Sequence, residues 1–261
     1  MSRESDAIPA IFVGHGSPMN ALDDNRYTRA WRDVARSFRR PRAILAVSAH
    51  WYIGATAITT MERPKTIHDF YGFPPELFAV DYPAPGSTAI AGEVIDALGG
   101  FWVGRDVDSW GIDHGTWSVL VHMFPEADVP VLQLSIDATK DLEYHLNLGR
   151  ALEVLRHRGV LVMGSGNIVH DLGSIDWEMP DRGFDWAHEF NDAARDILTT
   201  IPGDVSRLAD HPMFRRAAPT PEHLLPAFYV AGMAAAAGAT LERFVDGYAY
   251  GSLSMDSYVL R

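Results

Sequence analysis

The chain contains no cysteine in 261 residues. Disulfide frameworks, thiolate nucleophiles and cysteine-ligated zinc or iron–sulfur centres are therefore excluded, and any metal must be held by His, Asp or Glu. Positive charge is also scarce: 22 Lys and Arg stand against 34 Asp and Glu, a formal net charge of −12. That balance speaks against a general nucleic-acid binder, which needs a basic face. Long apolar runs are missing as well. The stretch from Leu224 to Ala237 is interrupted by Pro226 and Gly232 and is too short to span a bilayer. The opening MSRESDAIPA holds no apolar segment of leader length, so a cytoplasmic protein without a membrane anchor is expected. No internal repeat, low-complexity tract or linker-like stretch divides the chain, and one domain over residues 1–261 is expected.

What is present is a large apolar fraction, 47%, enough to bury a sizeable core. Segments 9–13, 42–48, 129–136 and 159–165 are almost wholly apolar, the mark of strands buried on both faces. A further strand is expected at 54–60, a short one at 101–104, and strand-like alternation at 250–260. Helical patterns lie between them, at 26–40, 87–98, 115–124, 140–157, 184–199 and 222–237. Within the first, Tyr27, Ala30, Trp31, Val34 and Phe38 recur at helical spacing with arginines opposite. Buried strands alternating with helices predict an α/β fold covered on both faces. The Pro-, Gly- and aromatic-rich loop from Pro64 to Pro85 is long for a compact domain, and such loops are often functional.

The eleven histidines divide into two sets. His145 and His157 are expected on a solvated helix face, His145 pairing with Asp141. His68, His188 and His211 read as loop or helix-surface residues, and His122 as a core or boundary residue. His15, in IFVGHGSPMN, is different: it follows an apolar strand and sits between two glycines. His50 follows the strand ILAVSA, and His170 follows VLVMGSGNIV. In open α/β sheets, ligands bind outside the carboxyl ends of the strands, so three such histidines can meet. His223, in PTPEHLLPAF, has a proline-stiffened lead-in to an apolar helix. A histidine cluster without cysteine suits zinc or non-haem iron. A catalytic metal takes about three protein ligands and keeps a position open, which leaves one histidine for acid–base work. His114, in IDHGTW, reads equally as a donor to substrate or bound gas and as a helix cap.

The pieces GHGSPMNAL (14–22), SAHW (48–51), HDFYGFP (68–74), DHGTW (113–117), GSGNIVHDL (164–172), TPEHLLP (220–226) and YGSLSMDSY (250–258) run in order along nearly the whole chain. The ordered set resembles the LigB-like class III extradiol ring-cleavage dioxygenases, most closely the DOPA 4,5-dioxygenase branch. The resemblance implies a single-domain, three-layer α/β/α sandwich with a mostly mixed central sheet. It implies one divalent non-haem metal held by His15, His50 and His223, and an acid–base histidine at His170, which lies near enough in such sites to count as a further ligand. Related protocatechuate-cleaving enzymes use glutamate as third ligand; here the motif offers His223 with Glu222 beside it. The implied reaction inserts both atoms of O2 into the ring of a catechol such as DOPA, an oxidoreductase chemistry, with His170 and His114 as catalytic residues. Fe(II) is expected for activity. Zn(II) is the expected occupant of purified protein, because nitrogen ligands favour zinc while zinc has no redox step to offer.

Under this reading Trp51, Phe70, Tyr71, Phe73 and Trp117 are candidates to wall the substrate ring, with core packing as the plain alternative. Arg63 and Lys65 are candidates to hold a substrate carboxylate, with a solvated surface as theirs. Three other functions fit the same residues: a zinc-dependent hydrolase, a tetrapyrrole chelatase-like protein, and a non-enzymatic metal-site protein. Neither Ser17 nor Ser165 stands in a G-x-S-x-G elbow, so serine hydrolysis is disfavoured.

Overall fold

The structure is a computed structural model that describes residues 7–261. The first six residues, part of the opening stretch discussed above, lie outside them. The strands are β1 (Ala10–Gly14), β2 (Ala43–Ile53), β3 (Ala57–Thr59), β4 (Lys65–Thr66), β5 (Gly104–Asp106) and β6 (Gly111–Ile112). They continue with β7 (Val131–Asp137), β8 (Val160–Gly166), β9 (Glu242–Val245), β10 (Tyr248–Ala249), β11 (Leu253–Ser254) and β12 (Ser257–Leu260). The α-helices are α1 (Arg26–Arg36), α2 (Pro75–Phe78), α3 (Thr88–Ala97), α4 (His114–Met123) and α5 (Leu142–Leu152). After them come α6 (Val154–His157), α7 (Asp185–Thr200), α8 (Phe214–Ala217) and α9 (Leu225–Ala236).

Eight strands form one sheet in the order β5-β3-β7-β2-β8-β1-β12-β9. β7, β2, β8 and β1 run parallel at its centre, while at one side β12 pairs antiparallel with β1 and β9 antiparallel with β12. The sheet is mixed, as expected. Its central strands are mostly apolar because both faces are covered. Phe12, Leu45, Leu134 and Val162 point to a core shared with α5, α7 and α9. Ile11, Ile44, Leu161 and Met163, one residue out of step, point to a core shared with Trp31 of α1 and Trp117 of α4. The result is the three-layer sandwich.

Local chemistry sets the helix ends. Asn25 caps α1 by accepting from the N–H groups of Tyr27 and Thr28, at 2.9 and 3.0 Å, and Thr28 Oγ1 accepts from Asn25 N–H in return. The helix stops at Arg36 rather than residue 40, though Phe38 still packs on the core. The helix expected over 140–157 is two pieces that meet at Glu153. The strand expected at 101–104 is shifted to Gly104–Asp106. The polar edge strand β9 and the short β6 carry too little apolar pattern to have been foreseen. The Pro64–Pro85 loop is not loose. β4 pairs with β6, Trp117 Nε1 donates to Ile67 O at 2.8 Å, and Tyr82 Oη donates to Phe124 O at 2.8 Å.

His145 corrects the sequence reading. It is buried, not solvated, and its Nδ1 lies 3.0 Å from Tyr229 Oη across α5 and α9. Burial lowers its pKa to about 4. An unfolded chain takes up this proton near pH 6.5, so the neutral buried ring stabilises the fold above that pH and ceases to do so as pH falls to about 4. Urea unfolding at pH 7 and pH 4 should show the stability gap between wild type and His145→Gln shrinking by up to about 3 kcal/mol.

α5 and α9 approach closely because both carry glycine at the crossing. A Cβ on Gly232 would lie 2.1 Å from Leu146 O, and one on Gly149 would lie 2.2 Å from Tyr229 O. Gly232→Ala gains about 1 kcal/mol of helix propensity, but it forces two backbones apart. A net loss of about 1–3 kcal/mol is expected. Gly92→Ala in α3, where a Cβ meets nothing within 4 Å, should instead gain about 0.5–1 kcal/mol. Denaturant midpoints of the two variants check the contrast.

Candidate metal centre

The site is built where β1, β8 and β2 end side by side. His15 follows β1 directly, His50 lies in the last part of β2, and His170 comes four residues after β8. α4 opens on His114, and His223 stands two residues before α9. Glycines make room for the rings. A Cβ on Gly115 would sit 2.7 Å from both His50 Cδ2 and Ser48 Oγ. A Cβ on Gly166 would sit 2.1 Å from the carbonyl oxygen of His223, which instead accepts the Asn167 N–H at 2.8 Å. Gly16 turns the chain away after His15 with φ at +61°, in the left-handed region.

The hydrogen bonds fix which ring nitrogen carries the proton. Ser165 Oγ donates its hydrogen to Gly115 O, because a carbonyl cannot donate. Towards His15 Nδ1, 2.9 Å away, Ser165 can then only accept, so Nδ1 carries the hydrogen and Nε2 the lone pair. His50 Nδ1 faces Asp69 Oδ2 at 3.1 Å, and His223 Nδ1 faces Glu222 Oε1 at 3.2 Å. A carboxylate only accepts, so these rings too present a bare Nε2. Metal-binding histidines characteristically have their second nitrogen tied in this way.

The three ring centroids form a nearly equilateral triangle: 5.1 Å for His15–His50, 5.4 Å for His15–His223 and 5.2 Å for His50–His223. Imidazoles bound through Nε2 to one ion at about 2.1 Å have centroids about 5 Å apart. Nε2 of His15 and Nε2 of His50 are 3.3 Å apart, a repulsive contact between two lone pairs unless a proton or cation lies between. Neither of these two nitrogens finds a donor in the other, and three neutral imidazoles suit a divalent transition metal. The residues present fit the ion.

His114 and His170 flank the triangle. The His15, His50 and His114 rings can each offer a nitrogen within 4.8 Å of the others, and so can His170 and His223 with a Glu222 oxygen. His114 Nδ1 lies 2.9 Å from Asp69 Oδ1 without hydrogen-bond geometry, and the same oxygen accepts the His114 backbone N–H at 3.0 Å. His170 stacks flat on His223, with 3.4 Å between centroids and 4° between planes. Burial, and then the neighbouring imidazoles, hold His15 and His223 well below the ordinary histidine value. Burial lowers His170 to about 4. At His50 burial acts in the same direction but is outweighed by Asp69, Asp113 and Glu222, and its pKa is raised. Burial alone would raise Asp69, but its contacts with His114 and His50 hold it well below the carboxylate range.

The other candidates are dispersed. Phe70 lies edge-on to His114 at 5.4 Å and also packs on Phe73 and Trp117. Trp117 is fully buried in the core, Trp51 stacks on Trp110 at 5.8 Å, and Tyr71 is 92% exposed. Arg63 and Lys65 are exposed. Glu222 is engaged by His223 and by Thr220 Oγ1. Asp113 caps α4 and takes hydrogen bonds from Ser48, Thr116, Trp110 and Gln133, so it has no lone pair to spare for a metal. Reading by residue type missed Asp69 and Ser165, which touch the rings directly. Both sit inside the quoted motifs, Asp69 one residue before Phe70 and Ser165 between two glycines.

A family model described as the catalytic LigB subunit of aromatic ring-opening dioxygenase matches residues 9–258. A 4,5-DOPA dioxygenase extradiol of Escherichia coli (strain K12) is 44% identical over 256 residues, 96% of this chain and 94% of that protein. One of Beta vulgaris is 34% identical over 268 residues, 99% and 98% of the two. A crystal structure of an uncharacterized Escherichia coli K12 protein superposes with a TM-score of 0.84 at 40% identity, covering 97% of this chain and all of that one. The chain belongs to the LigB family of aromatic ring-opening dioxygenases, and within it to the extradiol enzymes. The family uses a non-haem metal, which the histidine cluster is built to accept. Hydrolase and chelatase readings gain nothing from these matches.

Gly115→Ala tests how the rings are seated. The added methyl displaces the His50 ring, and divalent-metal affinity should weaken about tenfold or more, with the circular dichroism of the fold unchanged. Equilibrium dialysis against Zn(II) measures it.

Proposed function

We propose that His15, His50 and His223 hold one divalent ion through Nε2, that Fe(II) is the ion of the active enzyme, and that the substrate is DOPA or a related catechol. The triangle of rings, each with Nδ1 tied outward, is the observation that carries the ligand set. Curated relatives named 4,5-DOPA dioxygenase extradiol support the substrate class. The reading takes residues 1–261 as one catalytic domain, with Zn(II) as an occupant of purified protein that leaves it inert.

Bound there, the ion supplies Lewis acidity toward the catechol oxygens and, as iron, the redox access to O2. The protein supplies the proton handling. His170 is neutral near pH 7, because burial lowers its pKa to about 4, so a ring nitrogen is free to accept a proton from a substrate hydroxyl. Its flat stack on His223 keeps it beside the ligand set. His114 has Nδ1 against Asp69, which leaves Nε2 to hydrogen-bond a substrate oxygen. Phe70, edge-on to His114, shields that flank from water. Both atoms of O2 end in the product, a yellow ring-opened semialdehyde.

The test is catechol-dependent oxygen uptake by protein loaded anaerobically with Fe(II), with DOPA, caffeate and unsubstituted catechol compared. Wild type should consume O2 and turn yellow. His15→Ala and His223→Ala should lose both the bound metal and the uptake. His170→Ala should keep the metal and lose about 10²–10⁴ in kcat. Uptake that survives His223→Ala, or no uptake by any iron-loaded sample, overturns the reading.

A further inference from the structure

We propose that Asp69 is the positioning residue of the centre: one carboxylate, carried on the aromatic loop, sets the tautomer of His50 and seats His114 at the same time. The inference rests on His50 being a ligand, as proposed above. Asp69 Oδ2 is 3.1 Å from His50 Nδ1, and Oδ1 accepts the His114 backbone N–H at 3.0 Å while lying 2.9 Å from His114 Nδ1. Its side chain is 17% exposed, so these contacts are little diluted by water. Because both oxygens are acceptors only, His50 must place its hydrogen on Nδ1 and keep Nε2 bare. Asp113 cannot take over this work, since its own two oxygens are engaged by four other donors.

The loop that carries Asp69 contributes none of the five clustered histidines, yet it is pinned at its root. β4 pairs with β6, Ile67 O accepts from Trp117 Nε1, His68 Nε2 donates to Val80 O at 2.9 Å, and Phe70 covers His114. The sequence HDF therefore has three jobs in consecutive residues: anchor, carboxylate, cover. The role of the long ordered loop is to bring a fixed acceptor to two rings that come from β2 and from the start of α4.

The chemistry makes a sharp substitution available. An amide has one acceptor end and one donor end. With its oxygen kept at the Oδ1 position for His114 N–H, Asp69→Asn turns an NH2 toward His50 Nδ1. That forces the hydrogen of His50 onto Nε2 and blocks the ligand. With the amide reversed, two donors face each other at His114. Asp69→Glu keeps an acceptor-only group and should restore the arrangement in part. Phe78→Leu, which removes a ring packed on His68 and Phe70, loosens the loop without touching the carboxylate.

Zn(II) affinity, measured by competition with a chromophoric chelator, reads the role without any turnover. Asp69→Asn should bind Zn(II) about 10–100-fold more weakly than wild type, with Asp69→Glu between the two. Phe78→Leu should stay within about threefold of wild type, well short of the loss expected for a broken outer contact. An Asp69→Asn protein that binds like wild type, or a Phe78→Leu protein that loses as much as Asp69→Asn, overturns the proposal. Should Asp69→Asn fail to fold, the imidazole 15N spectrum of Zn(II)-loaded wild type decides: a hydrogen on His50 Nδ1, slow to exchange, supports the role, and a bare Nδ1 overturns it. A wild-type chain that binds zinc with this pattern but opens no catechol leaves the proposal standing and removes only the substrate reading. A wild-type chain that binds no zinc removes both.

Discussion

Two imidazole nitrogens whose lone pairs face each other 3.3 Å apart repel unless a cation or a proton lies between them. The rest of the site follows from keeping that contact. Parallel strands bring His15 and His50 to one end of the sheet. Ser165 and Asp69 hold the tautomers that aim the lone pairs inward, and Glu222 does the same for His223. Among the rings, His50 has its proton affinity raised, because Asp69, Asp113 and Glu222 outweigh its burial. The acidic groups around the cluster favour a cation.

Such a cluster costs stability, because desolvated rings must stay neutral or share charge. Two apolar cores, one on each face of the sheet, offset it. Rigidity is placed where the rings need it. Gly115 and Gly166 admit backbone and ring to contacts that any side chain would prevent, and Asn167 locks the His223 carbonyl. Positions on strands and helix starts are held by many contacts at once, which is why the site tolerates internal repulsion without falling apart.

Much of this was legible in the sequence. Apolar runs gave the central strands, since a strand buried on both faces is mostly apolar, and histidines at strand ends gave the cluster. What stayed hidden has physical reasons. His145 sits on a helix with enough polar neighbours to look solvated, and only the crossing of α5 over α9, permitted by Gly149 and Gly232, buries it. β9 is an edge strand with a polar sequence, so pattern could not reveal it. Asp69 and Ser165 are ordinary residue types whose importance is a matter of distance to a ring, which spacing along the chain does not encode. Among the aromatics, Trp117 takes the core-packing alternative and Tyr71 faces solvent.

The central claim is that three imidazoles, and no carboxylate, hold the ion. X-ray absorption of the metal-loaded chain tests it most directly. The account predicts an inner shell with three imidazole scatterers at about 2.0–2.1 Å for Zn(II). A shell with one or two imidazoles and a carboxylate oxygen in wild type, the pattern expected if Glu222 replaced His223, would contradict it.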